Sequence, residues 1–287
     1  MKKAPQINIF GEVEEQDLIL RDKFIEPPFS VLDTKSGNWQ RRKKQWQKLG
    51  IKSEVGRDSV VINMDSKAKA NNSANYVSIF DPALCEVLYN WFCVGGKEIL
   101  DPFSGGSVRG IVANKLGYKY TGIDIRQEQI DSNREQGIDI LEIDNQPNWY
   151  VGDSNKVLND FNKEFDFVFS CPPYADLEVY SDLEGDISNK PYKDFMIAYE
   201  SIIKKSCNLL KSGGYACFVV GEVRDKKGNY IGFVPDTINA FRRAGMNFYN
   251  EGILLNAIAS ASMRANGNMK SQKLVKVHQN ILVFKKP

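Results

Sequence analysis

Four short stretches set residues capable of chemistry directly behind apolar runs. Asp101 closes I-L-D and opens P-F-S-G-G-S. Asp124 closes Y-K-Y-T-G-I-D, 23 positions later. Asp153 follows W-Y-V-G. Cys171 leads C-P-P-Y after F-D-F-V-F-S, with Pro172, Pro173 and Tyr174 behind it. The Gly105–Gly106 pair can take positive φ without a Cβ penalty, so the backbone can pass close to a ligand. An acidic residue at the head of such a turn suits a ligand with a positive end better than a pyrophosphate. Neither G-x-G-x-x-G nor the phosphate-binding G-x-x-x-x-G-K-[ST] occurs. A carboxylate ending the second strand of a βαβ unit can accept both hydroxyls of an adenosine ribose. An acceptor at Asp153 could meet an adenine amino group. Three acidic residues that each close a strand are hard to explain as packing. Paired prolines stop a strand and fix the direction of the carbonyl and ring that follow.

The elements needed to position these groups are legible around them. Ile99 to Asp101 reads as a strand, Val108 to Leu116 as a helix stopped by Gly117, and Tyr118 to Ile125 as a second strand. Trp149 to Ser154 and the alternating run from Phe165 supply two more. Ala83 to Phe92 and Tyr192 to Leu210 have apolar residues at helical spacing, the latter ended by Lys211 to Gly214. Tyr215 to Gly221 is a buried strand, Asp236 to Ala244 a helix, and Phe248 to Leu255 with Asn280 to Phe284 a closing antiparallel pair. Near the start, Gln6 to Phe10 is strand-like and Asn38 to Leu49 is a basic helix with Trp39 and Trp46 on one face. Residues 52–75 read as a polar linker or lid. The stretch Asp176 to Asn189 is an acidic loop, and Asn256 to Gln279 is a long, basic, polar one.

With these motifs in order, the sequence resembles the S-adenosylmethionine-dependent DNA amino-methyltransferases. Their first motif is like Asp101 to Ser107, and their catalytic motif is [D/N/S]-P-P-[Y/F/W]. The resemblance covers roughly residues 76 to 287. It is closer still to phage-type DNA modification methylases, which also carry a stretch like Pro27 to Thr34 ahead of a basic, Trp-containing segment.

The resemblance implies an α/β, Rossmann-like class I methyltransferase fold, with a mostly parallel seven-stranded sheet, a closing antiparallel hairpin and an N-terminal arm. It divides the chain into an arm or subdomain over 1–75 and a catalytic domain over 76–287. S-adenosylmethionine is the implied cofactor and S-adenosylhomocysteine its product. Asp101 would face the cofactor amino group, Asp124 its ribose and Asp153 its adenine. Ser78 and Phe80 would line the methionine end, with Phe103, Gly105 and Gly106 in the turn and Ile125, Ser154 and Ser170 beside the acidic positions. The catalytic residues would be Cys171, Pro172, Pro173 and Tyr174. Cys171 and the Pro172 carbonyl would hold the amino hydrogens of a flipped base, on which Tyr174 stacks. Adenine N6 is favoured weakly over cytosine N4. Cysteine departs from the usual aspartate, asparagine or serine, and its sulfur is a weak acceptor. An RNA amino-methyltransferase and a catalytically weak homologue that binds DNA and cofactor remain as alternatives.

Composition sets the outer bounds. The chain has 287 residues, 42% hydrophobic and 26% charged, which is ordinary for a soluble domain. No apolar run reaches membrane-spanning length and the start lacks a signal-peptide core, so the expected place is the cytoplasm of a bacterial or phage-infected cell. Five cysteines without a C-x-x-C pair, and a single histidine, His278, argue against a structural metal. Net charge is only +2, so the expected DNA contacts are local: Arg41, Arg42, Lys43 and Lys44 in the first basic segment, Arg264, Lys270 and Lys273 in the second. A homodimer is left open.

Overall fold

The computed structural model describes residues 24–51, 80–174, 181, 183, 185–256 and 261–287. The expected strand at Gln6 to Phe10, the linker over 52–75 with the domain boundary behind it, and Ser78 lie outside these residues.

An eight-stranded sheet organises the described chain. Its strands are β1 (Val31–Asp33), β2 (Glu98–Asp101), β3 (Lys119–Asp124), β4 (Asn148–Val151), β5 (Phe165–Ser170), β6 (Leu210–Val220), β7 (Asn247–Leu255) and β8 (His278–Lys285), in the order β1-β7-β8-β6-β5-β2-β3-β4. All neighbours are parallel except the pairs that β8 makes with β6 and β7. The helices are α1 (Gly37–Gln47), α2 (Pro82–Phe92), α3 (Val108–Lys115), α4 (Gln127–Ile140), α5 (Ser154–Val157), α6 (Tyr192–Asn208), α7 (Phe233–Arg243) and α8 (Ala261–Lys270). Helices on both faces explain why the central strands are apolar on both sides. Two buried clusters result. One lies between the sheet and α1, α2 and α3, around Tyr89, Ile111 and Phe169. The other lies between the sheet and α6 and α7, around Tyr199, Phe218 and Phe241.

Three expectations need correction. The sheet has eight strands, not seven, because Val31 to Asp33 pairs in parallel with Ile253 to Leu255. The described part of the N-terminal region is therefore built into the catalytic sheet. Lys211 to Gly214 does not end a helix: α6 stops at Asn208, and these residues open β6, where an irregular register against β5 absorbs the two glycines. The long segment before β8 contains the helix α8.

Candidate active site

The order β4-β3-β2-β5-β6 reverses direction between β2 and β5. Ligands of open α/β sheets bind at the carboxyl ends beside such a switch. Asp101 ends β2, Ser170 ends β5 and Asp124 ends β3, while Asp153 lies two residues beyond β4. All four candidate stretches meet along this edge.

Asp101, expected to face the cofactor amino group, lies in the interior. Its side chain is fully buried and saturated. Oδ2 accepts from Arg109 Nε at 2.5 Å and from Tyr120 Oη at 2.6 Å, and Oδ1 accepts from Ser170 Oγ at 2.5 Å and the Phe103 N–H at 3.1 Å. Ser170 is thereby internal as well. Arg109 also donates to the carbonyls of Phe103 and Ser104, each at 2.7 Å, and lies 4.7 Å over the Phe80 ring. Burial disfavours the guanidinium charge, but the adjacent Asp101 outweighs this and holds its pKa above the ordinary value. Asp101 and Arg109 thus form a buried, fully bonded pair that shapes the turn from beneath.

The other acidic residues remain at the surface of the crevice. Asp124 accepts from the Gly105 N–H at 3.0 Å and the Arg126 N–H at 2.9 Å, and keeps a partly exposed edge. Gly105 takes φ +49°, the conformation that its lack of a Cβ permits, and its carbonyl accepts from Asn133 at 2.7 Å. Gly106 is buried behind it and Ile125 is partly exposed. Asp153 caps α5 through the Asn155 N–H at 2.8 Å and keeps partial exposure. Ser154 turns inward instead, donating to the Pro102 carbonyl at 2.6 Å. Phe103 packs on Tyr199 and Phe218. The two partly exposed carboxylates, the glycine turn and the apolar Ile125 and Phe80 have the donor and acceptor character that an adenosine bearing a cationic tail requires.

The Cys-Pro-Pro-Tyr turn leaves β5 beside this crevice. Pro172 is buried, whereas Cys171, Pro173 and Tyr174 are partly exposed. The other four cysteines are buried; burial raises the Cys93 and Cys207 thiols to about 12 and pushes Cys85 and Cys217 up as well. Beyond Tyr174, Glu222 accepts from the N–H groups of Gly232 and Phe233 at 3.0 and 2.7 Å and so caps α7. Lys276 and His278 stand nearby. Burial lowers the Lys276 pKa, and burial with the charge of Lys276 lowers that of His278.

The basic residues divide. Arg42 forms a two-point ion pair with the buried Glu86, which also accepts from Trp46 Nε1 at 2.7 Å. Lys43 pairs with Asp81 at 3.0 Å, and Trp39 Nε1 donates to the same carboxylate at 3.2 Å. These two cations, both partly exposed, tie α1 to the start of α2 and to Asp81 before it, so their charge is already paired within the chain. Arg41 and Lys44 face outward. Arg264 and Lys270 are exposed on α8, and Lys273 lies against Gly228, where a built Cβ would come within 2.1 Å of its Nζ. In that Gly228 loop, Arg224 sits 3.9 Å over the Tyr230 ring.

Sequence reasoning missed Arg109, Tyr120 and Asn133. A charged residue between Val108 and Ile111, on a helix otherwise reading as buried, was the available signal for Arg109.

The sheet order, with β8 antiparallel between β6 and β7, defines a Rossmann-like class I methyltransferase fold. Among solved structures the chain is similar to TrmN from Thermus thermophilus (14% identity, TM-score 0.46), covering 72% of this chain and 49% of that one. It is also similar to a TehB-like SAM-dependent methyltransferase from Corynebacterium glutamicum (17%, TM-score 0.43; 86% and 97% covered). A third is magnesium protoporphyrin IX methyltransferase from Synechocystis with bound SAM (12%, TM-score 0.46; 94% and 97% covered). The chain spans about half the length of the TrmN structure. At these distances the likenesses carry no argument about activity. No family model and no curated protein sequence matches. Among the described residues no helix is long and apolar enough to cross a membrane.

Proposed function

We propose that this chain transfers a methyl group from S-adenosylmethionine to the exocyclic amino nitrogen of a flipped DNA base, adenine N6 in preference to cytosine N4. The observation that supports this most is the place of the Cys-Pro-Pro-Tyr turn. It leaves β5 at the switch point, with Asp124 and Asp153 along the same edge and with Tyr174 hydrogen-bonded to Gln279, which follows the second basic segment in the chain.

When bound, S-adenosylmethionine supplies an electrophilic methyl on its sulfonium. Asp124 would hold its ribose, Asp153 its adenine amino group, and the Gly105 turn and Phe80 its methionine end. The amino nitrogen of a base is a poor nucleophile because its lone pair is delocalised into the ring. Acceptors that hold its hydrogens favour a tetrahedral nitrogen and the charge that develops there. The Pro172 carbonyl and Cys171 would be these acceptors. Tyr174 offers the ring on which an extruded base stacks.

A partly exposed thiol at the acceptor position favours one second reading: a homologue that binds DNA and cofactor with weak turnover. Labelled cofactor, duplex DNA, RNA of matched sequence and nucleoside mass spectrometry distinguish the outcomes. Methyl on adenine N6 or cytosine N4 of DNA is expected. Label on RNA alone would reassign the substrate, and tight binding of both ligands without transfer would establish the weak homologue. Cys171→Ser should keep substantial activity and Cys171→Ala should be slower but measurable. A covalent adduct with fluorinated cytosine in DNA, abolished in Cys171→Ser, would replace amino transfer by ring-carbon chemistry. Asp124→Ala should weaken cofactor binding by about 1.5–3 kcal/mol or more in calorimetry, the worth of hydrogen bonds to a charged group.

A further inference from the structure

We propose that Gln279 is a positioning residue that seats Tyr174; this rests on the methyl-transfer reading of the Cys-Pro-Pro-Tyr turn. Three separate elements meet the tyrosine. Gln279 Nε2, on β8, donates to Tyr174 Oη at 3.1 Å. Phe233, the first residue of α7, meets its ring edge-to-face with centroids 5.9 Å apart. At the end of β6, a Cβ built on Gly221 would stand 3.4 Å from Tyr174 Oη and 3.7 Å from Cε1. These are ordinary van der Waals distances, so the ring lies alongside the end of β6 without excluding a small side chain there.

The register explains why Gln279 arrives there. β6 and β8 pair through Val220 opposite Asn280, and Gly221 and Gln279 are the next residues on each side. A stacking ring held by a hydrogen bond and an edge-to-face contact is set before a base arrives, which lowers the ordering cost of binding and orients the acceptor groups of the same turn. Gln279 lies past the end of the Cys-Pro-Pro-Tyr turn by more than a hundred residues, so the contact is tertiary. It also lies three residues after Lys276, which joins the Cys-Pro-Pro-Tyr turn to the second basic segment through the start of β8.

The test is a cycle of full-length variants. Gln279→Leu should lower kcat about tenfold, the rate equivalent of one hydrogen bond, with cofactor Kd and melting temperature unchanged. Gln279→Glu should restore most of the rate, because its carboxylate can accept from the tyrosine hydroxyl. In a Tyr174→Phe background, Gln279→Leu should have no further effect. Fluorine NMR of protein labelled with 3-fluorotyrosine gives a readout independent of turnover. The Tyr174 resonance, assigned by its loss in Tyr174→Phe, should shift in Gln279→Leu. An unchanged kcat, or losses that add across the cycle, would overturn the proposal. If the wild-type chain transfers no methyl to DNA or RNA, the functional reading falls separately, and an unshifted resonance alone would then overturn the seat.

Discussion

Two basic segments look alike in sequence and differ in what the fold does with their charge. In α1, Arg42 and Lys43 turn inward onto Glu86 and Asp81, with Trp46 and Trp39 donating to the same two carboxylates. The spacing is four residues in each set, Trp39 with Lys43 and Arg42 with Trp46, so each carboxylate meets one cation and one indole on a single helix face. In the second segment, Arg264, Lys270 and Lys273 have no carboxylate partner among the described residues, and α8 buries only Ala261. A run of Lys and Arg is therefore not in itself a nucleic-acid surface. The companions on the facing element decide, and here they are two acidic residues of the Ser78 to Glu86 stretch.

The largest expected effect tests the first half of that contrast. Arg42→Ala leaves the buried Glu86 with one indole donor; the Arg42 side chain itself is 43% exposed, so solvent screens part of the loss. It should destabilise the chain by about 2 kcal/mol in chemical denaturation while leaving the salt dependence of DNA binding unaltered. A folded variant with a flattened salt slope would return Arg42 to the DNA surface. The second half predicts a smaller free-energy change. Replacing Arg264, Lys270 and Lys273 by Gln should weaken DNA binding about tenfold or more at moderate salt, similarly for all sequences. The slope of log K against log salt should fall by about 2–3, near 0.9 per phosphate contact. The pair Arg41→Gln, Lys44→Gln should change it less. Equal changes from both sets would make α1 and α8 one continuous DNA surface.

What was legible in the sequence follows the same division between local and tertiary information. The strands ending at Asp101, Asp124 and Ser170 announce themselves by apolar runs cut by turn residues, so the carboxyl edge and its order of motifs could be read directly. The fate of Asp101 could not. Its saturation depends on Arg109, Tyr120 and Ser170, which three different elements bring in. The helix α4 escaped because its inward face is polar: Gln129, Asn133 and Gln136 are buried and hydrogen-bonded, so the apolar period that marks a helix is missing. The strand β1 is three residues long, too short for alternation to show, and it becomes a strand only by pairing with β7. In the same way, Gln279 gains a role only through the register of β8.

The smallest expected effect concerns a third charged contact, at the opposite edge of the sheet. Asp166 accepts from the N–H groups of Lys97 and Glu98 at 2.8 and 2.9 Å and from Lys211 Nζ at 2.6 Å, joining the starts of β2 and β5. Burial pushes its carboxyl up, but the hydrogen bonds, led by that of the Glu98 N–H, together with Lys211 outweigh this and hold it below the ordinary value. A depressed carboxylate contributes stability that is present above its unfolded pKa, about 3.9, and is lost as pH falls through the lower folded value. Lys211 is half exposed, so its share of the contact is screened by solvent. Asp166→Asn retains one acceptor and should cost about 1 kcal/mol at pH 7. Measured by urea unfolding, the gap between variant and wild type should narrow as pH drops below about 4, where the wild-type carboxylate takes up its proton. A gap that stays constant from pH 7 to pH 3 would mean that the carboxylate charge is immaterial here, and that Asp166 acts through the geometry of its neutral hydrogen bonds alone. Lys211→Ala in parallel separates the two contributions. It should shift stability less than Asp166→Asn, because the two backbone donors stay in place.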